Sequence, residues 1–102
     1  NAYTYYKIGR YKSAIVSLKN ALKQYPESSH REEIMYMIVD ASYRFASNSV
    51  AEKQTDRYLA MLDSYLSFKE EFPESKHIKE VDRMAHHACA YLDRNKQEDN
   101  NI

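Results

Sequence analysis

Apolar residues recur at spacings of three and four along most of the chain, and this spacing is typical of amphipathic helices. The clearest example, in residues 11–28, has its apolar positions at Tyr11, Ala14, Ile15, Leu18, Ala21, Leu22 and Tyr25. Pro26 predicts that this helix ends near Tyr25, because proline lacks an N–H group and disfavours helical geometry at the preceding residue. Residues 58–75 are a degenerate copy that ends in the same Pro-Glu-Ser sequence. The repeat predicts stacked helical units.

The two helices between these prolines are predicted by capping signals as well as by apolar stripes. Residues 29–32 and 49–52 both have the spacing of a capping box, in which a hydroxyl and a carboxylate satisfy backbone N–H groups of the first helical turn. The first predicted helix has an apolar face made of Ile34, Ile38, Ala41 and Phe45. The second runs from about residue 50 to residue 71 and has the stripe Tyr58, Leu62, Tyr65, Phe68 and Phe72. Its polar first half is expected to extend beyond the packed core.

The two ends of the chain are predicted to differ. Residues 1–8 contain no helix breaker and precede Gly9, the only glycine, so we expect a partial helix that closes there with a left-handed residue. After Pro73, Ser75 is the predicted cap of a last helix with the apolar face Ile78, Val81, Ala85, Ala88, Cys89 and Leu92. Residues 93–102 have no apolar periodicity, and we expect a polar, frayed tail after a helical domain of residues 1–92.

These elements predict an all-α fold, a solenoid of helical hairpins with about four helices plus a partial N-terminal one. One glycine and two prolines in 102 residues favour long helices over a turn-rich β fold. Residues 1–26 resemble a tetratricopeptide repeat. Its aromatic position is occupied by Tyr5, its turn by Gly9, its two small positions by Ala14 and Ala21, and its terminal proline position by Pro26. The copy has Met61 and Phe68 in place of the two alanines, so we expect its hairpin to pack more loosely or at another angle.

The distance between the two prolines carries a more specific resemblance. Pro26 and Pro73 are 47 residues apart, whereas a tetratricopeptide repeat is about 34 residues long. The additional residues lie around residues 48–56, within the segment ASNSVAEKQTDRY that ends at Arg57 and Tyr58. Together with the phrase RYKSAIVSLKNALKQYPES, this longer repeat resembles the C-terminal part of the BamD family of outer-membrane assembly lipoproteins, in the form found in Bacteroidetes, over residues 1–92.

The resemblance implies a non-enzymatic scaffold at the periplasmic face of the bacterial outer membrane, held there by an N-terminal lipid anchor. It also implies that the C-terminal repeats dock on the periplasmic POTRA domains of the barrel-forming assembly subunit. Since the chain begins at Asn1, we expect it to be a piece of a longer protein with an upstream lipobox cysteine and further repeats. The alternative is a generic tetratricopeptide protein- or peptide-binding module of another pathway, which would have neither.

Charge and motif content argue against several other functions. Fifteen basic and fifteen acidic side chains balance and are interspersed, so the sequence does not predict a nucleic-acid-binding surface. It contains no phosphate-binding loop or nucleophile motif, and we predict neither catalysis nor a cofactor. His86 and Cys89 share a helix face with Asp82 one turn away, but metal sites usually need three or four convergent ligands. We therefore predict no metal; a metal-dependent enzyme or sensor would require zinc to co-purify stoichiometrically.

Two groups of residues are predicted to bind a partner protein. The first lies on the helices that would line the concave side of a solenoid, and it consists of Tyr5, Tyr36 and Tyr43. Tyrosine suits interfaces because it combines a large apolar ring with a polar tip. The second belongs to the polar helix extension and consists of Asn48, Lys53 and Arg57, of which Arg57 can bind a carboxylate through two bonds. The alternative interpretations are a hairpin core for the tyrosines and a solvated, capped helix start for the polar group.

Overall fold

A computed structural model of the chain describes residues 2–24 and 29–100, with side chains for residues 9–24 and 29–95. Its four helices are α1 (Ala2–Gln24), α2 (Arg31–Ser47), α3 (Ala51–Glu71) and α4 (Ile78–Asn100). No strand occurs within the described ranges, and the predicted all-α class is confirmed. The predicted long helix is α3, which ends at Glu71, two residues before Pro73.

Consecutive helices are antiparallel neighbours. Between α2 and α3, Arg31 bonds to Glu71 at one end of the pair, and Ser47 bonds to Tyr58 near the other end. The middle helix α2 also contacts α4, whereas α1 makes no close backbone approach to α3 or α4 in the described ranges. Contact of a helix with its next-but-one neighbour is typical of stacked helical hairpins, and it confirms the tetratricopeptide-like arrangement.

The hydrophobic core lies where α2, α3 and α4 meet. Its largest fully buried side chains are Phe68, Met61, Val39 and Val81. Two residues of the predicted α2 stripe, Ile38 and Ala41, are buried, and the other two are partly exposed. Since α2 has three helical neighbours, it also buries residues outside that stripe, namely Met35, Val39 and Ala46.

The packing of α2 against α3 is not loose, and of the two expectations for this hairpin the different packing angle stays a prediction. Met61 and Phe68, which take the place of small residues in the repeat, are fully buried. The contact between α2 and α3 is the most extensive one between described helices. Both side chains belong to one core cluster with Met35, Val39 and Ala46 of α2.

The predicted turn at Gly9 is wrong, because α1 runs without interruption from Ala2 to Gln24. None of the described residues has a positive φ angle, so Gly9 adopts ordinary helical geometry. Glycine destabilises a helix interior by only about 1 kcal/mol relative to alanine, a cost that the surrounding helix-forming sequence can offset. The N-terminal segment therefore continues α1 instead of forming a separate partial helix.

Gly9→Ala is expected to stabilise the protein by about 0.5–1 kcal/mol. A Cβ atom added at Gly9 meets no other atom within 4 Å, so the substitution introduces no clash and reduces the backbone freedom of the unfolded chain. Urea denaturation followed by far-ultraviolet circular dichroism measures the change in the free energy of unfolding. A loss of stability would show that Gly9 forms a left-handed turn in solution.

Neither predicted capping box forms. The structure shows no side-chain capping bond at the first ends of α2 and α3, whose N-cap residues are His30 and Val50. The expected capping groups have tertiary partners instead: Glu32 accepts a hydrogen bond from Ser75 Oγ at 2.7 Å, and Ser49 bonds to the end of α2. Ser75 Oγ accepts the backbone N–H of His77 at 3.1 Å in the turn before α4, which begins at Ile78, and its role as the cap of this helix stays a prediction.

The buried face of α4 differs slightly from the predicted one. Its buried residues are Val81, Met84, Ala85 and Ala88. Cys89 is exposed, so the prediction that its thiol is buried is wrong. Because α4 packs against α2 as well as α3, its buried stripe is turned toward Met84 and away from Cys89. The helix continues to Asn100, and the division into a domain of residues 1–92 and a tail of residues 93–102 stays a prediction.

Candidate functional site

The turn between α2 and α3, together with the first turns of α3, forms a compact unit of residues 47–57 that we call the α2–α3 tip. Ser49 is polar but buried; its Oγ donates to the Phe45 carbonyl and accepts from Arg57 Nη1, both at 2.5 Å. The Arg57 guanidinium also lies 4.2 Å from the centre of the Phe45 ring, which is a cation–π contact. Arg57 therefore fastens α3 to the end of α2.

Other side chains of the α2–α3 tip donate hydrogen bonds to backbone carbonyl groups at the end of α2. Gln54 donates to the carbonyls of Ala46 and Ser47 at 3.2 and 3.3 Å. The Asn48 side-chain amide donates to the Arg44 carbonyl at 2.8 Å. Because the last carbonyls of a helix lack full intrahelical partners, these donors stabilise the helix end. Gln54 and Arg57 thus attach the polar first half of α3 to the end of α2, while none of residues 51–57 is buried in the core, as expected.

Several side chains of the α2–α3 tip face the solvent. Asn48 and Lys53 are exposed, and Val50 keeps 57 % of its surface exposed. Arg57 is only partly exposed, and its guanidinium already contacts Phe45 and Ser49. Lys53 is consequently the accessible cation of the tip, whereas Arg57 positions the turn.

The second candidate surface lies where α2 meets α4, and we call it the α2–α4 face. Tyr36 stacks on His77, with ring centres 3.8 Å apart and ring planes 7° from parallel. Tyr43 meets His87 edge-on at 5.8 Å, and its hydroxyl lies 3.1 Å from His87 Nδ1. Both tyrosines are partly buried, and burial raises the pKa of the Tyr36 hydroxyl. Each tyrosine ring therefore packs between the helices and still has one edge exposed to solvent.

Charged groups on the α2–α4 face form pairs. Arg44 donates to both oxygens of Asp40 at 3.1 and 3.2 Å, and these hydrogen bonds raise the pKa of its guanidinium. Arg83 donates to Glu80 at 2.6 Å, and this bond raises its pKa in the same way. Exposed pairs of this kind add little to stability. On this surface the aromatic rings therefore lie beside pairs of opposite charges that cancel each other.

Five of the predicted binding residues lie on these two surfaces: Tyr36 and Tyr43 on the α2–α4 face, and Asn48, Lys53 and Arg57 on the α2–α3 tip. Their role in binding a partner stays a prediction. The sixth residue, Tyr5, has its side chain outside the described part of the structure. Sequence reasoning missed His77 and His87, because each bonds to a residue 44 positions away and no local pattern marks such a pair.

The described side chains include no group of three or more His, Cys, Asp or Glu residues that could hold a metal ion. His86 and Cys89, the residues closest to such a pattern in the sequence, are both exposed on α4. No helix within the described ranges is long and apolar enough to cross a lipid bilayer.

Antiparallel helices, of which α2 also contacts its next-but-one neighbour α4, define the chain as a helical-repeat protein. The sequence profile of the YfiO family, outer membrane lipoproteins, matches residues 1–95. The chain belongs to this family of BamD-like lipoproteins, which confirms the resemblance seen in the sequence and associates the protein with the outer membrane. No curated protein and no solved structure matches the chain.

Proposed function

We propose that the chain is a non-enzymatic scaffold in the assembly of β-barrel proteins at the periplasmic face of the outer membrane. The observation that carries this proposal is the family match over residues 1–95. In this role the repeats dock a POTRA domain of the barrel-forming assembly subunit, and the lipid anchor of the lipoprotein keeps the complex at the membrane.

The geometry of the α2–α3 tip supports a docking role. Arg57, Gln54 and Asn48 hold the turn against α2, so Val50 and Lys53 are presented to solvent from a fixed backbone. A surface that is already ordered loses less conformational entropy on binding than a mobile loop does. In the proposed complex, Val50 supplies apolar contact and Lys53 pairs with a carboxylate of the partner.

Lys53→Glu is expected to weaken docking about fivefold, because it places a negative charge where the partner carries a carboxylate. The measurement is the dissociation constant between the full-length lipoprotein, prepared without its lipid, and purified POTRA domains by isothermal titration calorimetry. The matched control is Lys79→Glu, which makes the same charge change at an exposed position of α4 away from the tip. Equal affinities of the two variants would exclude the tip as the docking site.

In the same assay Arg57→Glu is expected to weaken docking at least as strongly, for a different reason. The substitution removes the contact with the Phe45 ring and the bond to Ser49, and so loosens the turn that carries Val50 and Lys53. The helices remain, so far-ultraviolet circular dichroism should be unchanged. Unchanged affinity together with a normal spectrum would contradict a docking role for the tip.

A further inference from the structure

One side of α1 is basic and one side of α3 is acidic. The basic row consists of exposed residues spaced seven and four positions apart, which are Lys12, Lys19 and Lys23. The acidic row consists of exposed residues that recur every seven positions, which are Asp56, Asp63 and Glu70. Such spacings place the members of each row on one face of their helix. Among the described residues, none of the six has an ion pair or a side-chain hydrogen bond, so both rows are available to charges of another molecule.

Exposed apolar side chains accompany both rows of charge. On α1, Val16 keeps 53 % of its surface exposed and lies one turn from Lys19. On α3, Leu59 and Leu66 are 52 % and 60 % exposed and lie one turn before and one turn after Asp63. Apolar residues flanked by charged ones at these spacings are typical of the surfaces through which helices contact each other.

A groove separates the two rows, and we call the rows and the groove together the α1–α3 face. A cavity of about 170 Å³ in this groove is lined by Leu22, Met35 and Ile38, with Lys19 on the α1 side and Asp63 on the α3 side. A second cavity of about 320 Å³ shares Met35 with the first and continues the groove along α3. Since α1 makes no close backbone approach to α3, the groove lies open between the two helices.

The α1–α3 face is complementary to itself. Both helices are antiparallel to α2, so they run in the same direction, and Lys19 and Asp63 lie at the same height because they line one cavity. A two-fold axis parallel to the helices exchanges the positions of α1 and α3 and keeps every height unchanged. Lys19 of each copy then faces Asp63 of the other. Lys12 and Asp56, each seven residues earlier in its helix, face each other in the same way.

We propose that the α1–α3 face binds a second copy of this chain, with α3 of each copy lying in the groove of the other. Leu59 and Leu66 cover the apolar lining of the groove, and each acidic row meets the basic row of the other copy. Charge complementarity favours this occupant over a helix of a different protein, because one chain already carries both rows at matching heights. The pairing goes beyond the docking role proposed above and uses a surface away from Val50 and Lys53.

The pairing is expected to be weak and sensitive to salt. Two helices from each copy form a small contact, at the low end of the size range of protein interfaces. A dissociation constant of about 10–100 μM is expected for such a contact. Because the charged residues are exposed, their attraction is screened by dissolved ions. Association should therefore weaken as the salt concentration rises.

Sedimentation velocity of the full-length protein without its lipid tests the proposal, over a concentration range of about 5–500 μM that brackets the expected dissociation constant. The sedimentation coefficient should rise with concentration, and less so at about 1 M salt than at about 0.1 M. Lys19→Glu and Asp63→Lys are each expected to weaken association about tenfold, because each replaces two contacts of opposite charge per dimer by two of like charge. Lys79→Glu and Asp93→Lys make the same changes at exposed positions of α4 and should behave as the unmodified protein does.

An equimolar mixture of the Lys19→Glu and Asp63→Lys proteins separates pairing from damage to the fold. A dimer with one copy of each has opposite charges at both contacts, so association is expected to return to within about threefold of the unmodified protein. The proposal would be overturned by a mixture that stays monomeric or by association that neither substitution weakens. An unmodified protein that stays monomeric throughout would also overturn it and leave the groove to a helix of a different protein. The assay contains no POTRA domain, so its result does not depend on the proposed docking.

Discussion

Phe68→Ala is expected to destabilise the protein by about 3–5 kcal/mol. The Phe68 ring is fully buried and packs against Phe72, with ring centres 5.8 Å apart. Removing it takes apolar surface out of the core and leaves a cavity that the surrounding helices can only partly fill. Since domains are typically stable by only about 5–15 kcal/mol, a large share of the protein is expected to be unfolded under mild denaturing conditions.

Leu66→Ala is the matched control for this prediction. Leu66 lies on the same helix two residues earlier, but 60 % of its surface is exposed, so its truncation is expected to change stability by less than about 0.5 kcal/mol. Urea unfolding curves of both variants and the unmodified protein, followed by circular dichroism, give the comparison. Similar midpoints for the two variants would mean that α3 does not pack with Phe68 inward.

Tyr58→Ala is expected to cost about 3–5 kcal/mol as well, comparable to the loss of other buried aromatic rings. Tyr58 is 2 % exposed and lies between two other rings, with centres 6.3 Å from Tyr43 and 4.9 Å from Tyr91. It therefore joins α2, α3 and α4 through one cluster. Its loss is expected to loosen the α2–α4 face in addition to the core.

Tyr58→Phe distinguishes the contribution of the Tyr58 ring to stability from the contribution of its hydroxyl group. The hydroxyl lies 3.1 Å from Ser47 Oγ, at the base of the α2–α3 tip, and its removal is expected to cost about 1 kcal/mol. Thermal and urea denaturation of both variants measure the two contributions. If Tyr58→Phe were as damaging as Tyr58→Ala, the hydrogen bond to Ser47 would be the dominant contact and the aromatic cluster would not.

Local signals in the sequence predicted the helices well and their caps poorly. The long helix α3 and its end before Pro73 follow from apolar spacing and from the backbone chemistry of proline, which act within a few residues. The capping boxes do not form, and Glu32 and Ser49 bond instead to Ser75 and Arg57. A short motif cannot show that such a partner will be nearby.

The two candidate surfaces illustrate the same limit. The sequence singles out Arg57 as a binding residue, and the fold brings its guanidinium onto Phe45, a contact that no local pattern indicates. Tyr36 and Tyr43 were recognised as interface candidates from their residue type and helix. Their histidine partners on α4 became visible only when α2 and α4 were brought together.

By itself the sequence determined the helical class, the repeat and the family, because periodicity, proline positions and the ASNSV phrase are properties of neighbouring residues. The tertiary structure alone decided that Gly9 lies within a continuous helix, that Met61 and Phe68 form the core, and that His77 links α4 to α2. The physical reason is that burial and side-chain pairing depend on which helices surround a residue. In this chain α2 has three neighbours, and its apolar stripe does not show which side chains of those neighbours will meet it.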